Sequence, residues 1–282
     1  MNKIACQGCR DGEPLPFDFT MAFQPIVDVE RKRVWGYEAL VRGIEGQGAG
    51  HILAQVNEAN RYKFDQSCRV KAIELAGRLF PESGLKLSIN FMPNAVYEPS
   101  ACIRATLEAA RRVGFAQNQL MFEFTENERI EDVAHLQKII AEYRKQGFIT
   151  ALDDFGAGYA GLNLLASFQP DLIKLDMNLI RGIGNSPARQ TIIACVAMMA
   201  RQLGVMVIAE GVETDDELLA LRGAGIDLFQ GYLFAKPEVA KLPRVLLTYR
   251  LAATNAFGNQ NQCRTKCCFV LATQFKETYE PR

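Results

Sequence analysis

The feature that most constrains this chain is a series of eight short apolar, strand-like runs. They fall at 21–28, 34–41, 85–91, 120–125, 148–153, 172–176, 205–209 and 228–234. Most gaps between them carry helical periodicity, the longest at 51–80, with others at 102–113, 133–146 and 188–203. A further helix opens at Asp215, where acidic residues in the first turn complement the helix dipole. Strands alternating with helices imply a parallel sheet, and eight is the number that closes one into a barrel. One gap breaks the rule. Only Val29-Glu-Arg-Lys-Arg33 separates the first two runs, too few residues for a parallel crossover. These two strands must form a hairpin, so the first runs antiparallel to the second. The expected fold is a TIM-like (β/α)8 barrel with an antiparallel first strand. An open doubly wound sheet fits less well, because no GxGxxG turn follows the first strand.

The rest of the chain divides around this frame. Residues 1–20 read as an N-terminal arm, 21–250 as the barrel, and 251–282 as a polar, Cys-containing C-terminal extension. Cys68, Cys102 and Cys195 fall in helical segments and are expected as small core residues. Cys6 and Cys9 form a CxxC, but Cys263, Cys267 and Cys268 lack the matching spacing, which favours reduced thiols over a zinc site. Lys+Arg and Asp+Glu are equal at 32 each, so no net field draws a nucleic acid polymer. No apolar run has the length of a membrane span, and the start lacks a secretory core. A cytoplasmic protein without membrane insertion is expected.

Polar residues gather where the strands end. Glu38 and then Arg42 belong to the second strand, Asn90 to the third, and Glu123 and Glu126 to the fourth. The fifth supplies Asp153 and Asp154, the sixth Lys174 and Asp176, the seventh Glu210 and Glu213, and the eighth Gln230. Singly, each is explained as a helix cap or a solvated loop residue. Jointly they converge on one face of a barrel, where so many carboxylates repel unless cations neutralise them. The set is rich in oxygen and contains neither His nor thiolate, since His51 and His135 lie in helical segments; it suits hard divalent ions. Asp153 can bridge two ions while Asp154 holds one. Such a pair can activate water and stabilise the leaving oxygen of a phosphoryl displacement, with Lys174 adding positive charge. Gly156, Gly158 and Gly161 then serve either a plain turn or a moving substrate loop.

In these segments the chain resembles the EAL domain family of cyclic di-GMP phosphodiesterases, over about residues 21–250. The resemblance rests on Gln24-Pro-Ile-Val-Asp28, Glu38-Ala-Leu-Val-Arg42, Ser88-Ile-Asn90, Phe122-Glu-Phe-Thr-Glu126, Asp153-Asp-Phe-Gly-Ala-Gly158, Lys174-Leu-Asp176, Ala209-Glu-Gly-Val-Glu213 and Gln230-Gly-Tyr232, all in order. It implies hydrolysis of cyclic di-GMP to linear pGpG with two Mg²⁺ or Mn²⁺ ions. It also implies that Glu38, Asn90, Glu123, Asp153, Asp154 and Glu210 bind metal, Glu210 doubling as a candidate general base. Lys174 is matched to the lysine at the catalytic water, Arg42 to a phosphate contact, and Gln24 and Gln230 to the substrate side of the site. Glu126 is matched to the residue that holds the loop after Asp154. A homodimer and a sensor or regulatory partner are further implications. Ala157, Ala160 and Gly161 replace the family's usual hydroxyl residues, and Gly43 stands where many members carry Trp; none of these positions supplies a metal ligand. The competing readings are a cyclic di-GMP receptor that does not cut and a protein-interaction adaptor.

Overall fold

The computed structural model describes residues 14–81, 84–96, 98–125, 132–158, 161–245 and 247. Glu126 and the five terminal cysteines lie outside the described residues. The chain divides into a unit Met1–Thr248 and a unit Tyr249–Arg282, the second also outside them.

Strands β1 (Thr20–Asp28) and β2 (Arg33–Arg42) form the hairpin that the short connection requires, with Gln24 opposite Glu38. Then follow β3 (Lys86–Asn90), β4 (Leu120–Thr125), β5 (Ile149–Phe155), β6 (Leu172–Leu175), β7 (Met206–Ala209) and β8 (Leu228–Phe229). From β2 to β8 each strand pairs in parallel with the next. β1 closes the ring by pairing antiparallel with both β8 and β2. The fold is therefore a closed eight-stranded barrel with one reversed strand. A two-residue strand, β9 (Glu238–Val239), pairs antiparallel with β1 at Ala22 and Phe23. Two exposed residues carry no periodicity from which to foresee it.

Helices α1 (Ala49–Leu53), α2 (Arg61–Leu79), α3 (Pro99–Cys102), α4 (Arg104–Val113), α5 (Val133–Lys145), α6 (Gly161–Ser167), α7 (Met177–Ile180), α8 (Pro187–Leu203) and α9 (Asp215–Gly223) fill the connections. The periodicity at 51–80 covers two helices rather than one. Asn57 and Asn60 break it: the Asn60 side chain accepts from the Asn57 amide and donates to the Gln55 carbonyl. Asparagine competes in this way with the helical hydrogen bonds of its own backbone. The segment 102–113 is likewise divided, with Ile103 between α3 and α4. Cys68 and Cys102 are buried, but Cys195 is exposed on the outer face of α8. Helical periodicity there had two apolar faces, and Ile193, Ala197 and Ala200 took the core.

A single layer of apolar side chains plugs the lower end of the barrel, where the parallel strands begin. It consists of Ile26, Met121, Ala151, Leu172, Ile208 and Leu228, with Trp35 and Ile149 packed against it. Five of the six are fully buried, so each contributes about 2 kcal/mol by leaving water, Ala151 less. Between the barrel wall and α5, Phe91, Phe122, Tyr143 and Phe148 pack in edge-on and tilted contacts. Among the described residues no helix is long and apolar enough to cross a membrane.

Candidate active site

Side chains two apart on a strand share a face. Stepping two residues up from the apolar plug gives Glu123 from Met121, Asp153 from Ala151, Lys174 from Leu172, Glu210 from Ile208 and Gln230 from Leu228. On the reversed β1 the step runs backwards, from Ile26 to Gln24. One alternation therefore places a polar layer above an apolar one inside the barrel. Glu38 joins it from β2, opposite Gln24.

Lys174, 1% exposed, is the centre of this layer. Its ammonium lies 2.6 Å from Glu210, 2.8 Å from Glu123, 3.2 Å from Asp153 and 3.4 Å from Glu38. Burial alone would lower its pKa. The carboxylates of Asp153, Glu123, Glu210 and Glu38 overcome that and hold it well above the ordinary lysine value. Burial pushes Glu123 and Glu210 well above the usual carboxylate range, against the pull of Lys174. Glu210 keeps a solvent-facing edge, whereas Glu123 is completely enclosed. Both Glu123 oxygens are occupied, one by Lys174 and the other by the Ser88 hydroxyl from β3.

Amides fix the remaining acid. Glu38 accepts from Asn90 Nδ2 at 2.9 Å and from Gln230 Nε2 at 2.6 Å, and Gln230 also donates to Gln24 at 3.1 Å. The Gln230 position depends on Gly231, where a Cβ would stand 2.1 Å from the Val212 carbonyl. That approach lets Val212 pair with Gln230 and Leu233 in place of a longer eighth strand. The strand consequently stops at Phe229, well before the end expected from its apolar run.

The fifth strand ends in the adjacent acids. Asp154 has φ +54, a left-handed conformation that is uncommon outside glycine and costs about 1 kcal/mol or more. This twist interrupts the β5–β6 register and lets neighbours that would normally face opposite ways approach one site. Thr125 donates to Asp154 Oδ2 at 3.0 Å and so holds the turned carboxylate. Asp153, Asp154 and Glu210 each present one oxygen, all within 4.8 Å of one another. Asp153 Oδ1 is buried and accepts no hydrogen bond, although Lys174 stands within ion-pair distance. Hard oxygens, a buried carboxylate atom without a hydrogen bond and four acids around one ammonium fit a divalent cation.

A cavity of about 260 Å³ opens over these groups, lined by Gln24, Glu38, Asp153, Asp154, Lys174 and Glu210 among others. Asp176 and Glu213 also reach it. Asp176 caps α7 by accepting from the Asn178 amide, and Glu213 pairs with Arg181 at 2.9 Å. Arg42 is not among the lining residues; its guanidinium donates to its neighbour's carbonyl, Val41, at 2.7 Å. Sequence reasoning assigned no role to Ser88, although it shares a strand face with Asn90. Tyr232, 54% exposed at the rim, was likewise given none.

A family model described as EAL domain matches residues 17–237. The chain belongs to the EAL domain family. A standalone EAL protein from Vibrio cholerae O395, solved in a c-di-GMP-bound form, is 53% identical with a TM-score of 0.80, covering 83% of this chain and 98% of that one. BlrP1 of Klebsiella pneumoniae, solved as a manganese/cy-diGMP complex at pH 9.0, is 38% identical with a TM-score of 0.75, over 81% and 57%. A cyclic di-GMP phosphodiesterase of Pseudomonas aeruginosa is 31% identical over 225 residues, 78% of this chain and 38% of that protein. The blue light- and temperature-regulated antirepressor BluF of Escherichia coli is 34% identical over 225 residues, 79% and 55%. The chain thus spans about half or less of the length of these two curated relatives.

Proposed function

We propose that this EAL domain hydrolyses one phosphodiester bond of cyclic di-GMP to give linear pGpG, with two Mg²⁺ or Mn²⁺ ions held at the upper end of the barrel. The observation that carries the reading is the convergence of Asp153, Asp154 and Glu210 within 4.8 Å, beside a single lysine whose one charge is shared among four acids. Asp153, Asp154 and Glu210 would hold the ions, with Glu38 and Asn90 completing the set. Bound there, divalent ions supply Lewis acidity to the phosphoryl oxygens and to water. Glu123, unlike Glu38, does not line the cavity and is completely enclosed, so it would act through Lys174, which it holds at 2.8 Å. Lys174 places a fixed positive charge beside the reacting phosphate. Glu210 has the solvent-facing edge that a general base needs to take a proton from water. Gln24 and Gln230 present amides on the substrate side of the cavity. The 38%-identical relative was solved with manganese and cy-diGMP, which supports both the ligand class and the metal class.

Chromatography of the purified protein incubated with cyclic di-GMP and Mn²⁺ or Mg²⁺ tests the reading. A peak of pGpG, suppressed by Ca²⁺, is the expected result. Unchanged nucleotide with ligand bound would instead support the receptor reading, which the antirepressor named among the relatives keeps in play. A homodimer accompanies the proposal and follows from the family resemblance.

A further inference from the structure

The lower end of the barrel carries a second cavity, of about 430 Å³, larger than the one over the acids. It lies beneath the apolar plug, since Leu228 lines it and belongs to that layer. Its charged lining is three arginines, Arg31, Arg33 and Arg201, against two aspartates, Asp28 and Asp227. Asp28 is fully buried and accepts from the Arg31 guanidinium at 2.9 Å, with Arg33 at 3.9 Å. Arg31 is therefore committed, and Arg33 stands at the edge of ion-pair distance from the same carboxylate. Arg201, on the last turn of α8, makes no side-chain hydrogen bond or ion pair among the described residues. Its Nη2 lies across Gly225, 2.5 Å from where a Cβ would be, and only glycine permits that placement. The wall beside these groups is Trp35, a half-buried indole packed on the plug.

We infer that this lower cavity is a binding site for a nucleoside monophosphate, seated on Trp35 and held through its phosphate by Arg201. The chemistry limits the ligand. One uncommitted guanidinium matches one anionic group, and arginine forms paired hydrogen bonds with phosphate. An aromatic wall suits a planar ring. The volume falls within the range of small-molecule sites and exceeds what a bare phosphate needs. The site lies at the other end of the strands from the acids, so it is independent of the hydrolysis reading.

Trp35 is the one tryptophan of the chain, which makes its fluorescence a local reporter. Excited beyond nucleotide absorption, it should change saturably as GMP is added, with inorganic phosphate binding more weakly and guanosine weakest. Arg201→Ala, on an exposed helix surface, should keep the fold by circular dichroism and weaken GMP by about tenfold or more. Asp154→Asn should leave the titration unchanged. Absence of a saturable response to GMP overturns the proposal. So does a response that survives Arg201→Ala, or one that disappears with Asp154→Asn.

Discussion

The two ends of this barrel are built from the same strands, two residues apart, and they obey opposite rules. At the lower layer, six apolar side chains close on one another without a polar group. At the upper layer, four carboxylates surround one lysine, and the amides of Asn90, Gln230 and Gln24 are linked to one of them, Glu38. The lower layer is stabilised by transfer out of water and needs no partner. The upper layer depends on its lysine, because removing that one cation leaves the acids buried and unpaired. The comparison locates stability at one end and the proposed chemistry at the other, as barrels of this kind commonly do.

The largest expected effect comes from making the lower end resemble the upper. Met121→Glu places a carboxylate in the plug with no lysine to meet it and should cost about 4 kcal/mol or more in denaturant unfolding. Met121→Leu at the same position should stay within about 1.5 kcal/mol. Equal costs for the two would show that the layers do not differ in kind.

Removing the central cation comes next. Lys174→Met should reduce turnover by about three orders of magnitude and lower the melting temperature of the metal-free protein. Added Mn²⁺ should recover much of that temperature, by supplying the missing charge. Glu210→Gln should cut kcat by about 10²–10⁴ while leaving cyclic di-GMP binding by calorimetry nearly unchanged. Matched losses of binding and turnover would place Glu210 in substrate recognition instead.

The smallest effect concerns a residue outside both layers. Glu217 closes the capping box of α9 and accepts from the amides of Glu213, Thr214 and Gly182. Burial opposes its ionisation, but those backbone donors and Arg181 prevail and hold its pKa below the usual carboxylate value. A lowered native pKa means the stabilisation is complete above the unfolded-state value. It is lost as pH falls through the acidic range toward the native value. Glu217→Gln should cost about 1 kcal/mol at neutral pH and less in acid. A cost that does not vary with pH would contradict the ionised cap.

The strand count, the reversed first strand and the convergence of acids were legible because each rests on a local rule: period two, the length of a connection, and charge at the end of an apolar run. The division of 51–80 was not, since apolar periodicity continues across Asn57 and Asn60 while their side chains stop the helix. The exposure of Cys195 was hidden by a helix with two apolar faces. Within the site, the acids could be named but not ranked. Burial of both Glu123 oxygens and the left-handed turn at Asp154 depend on contacts between distant strands, which no local spacing encodes. Glu126 lies outside the described residues.

The measurement that tests the account most directly is anomalous diffraction from crystals grown with Mn²⁺. The expected result is two peaks at the carboxylates of Asp153, Asp154 and Glu210. Crystals fully loaded with the ion but showing no peak at these carboxylates would contradict it.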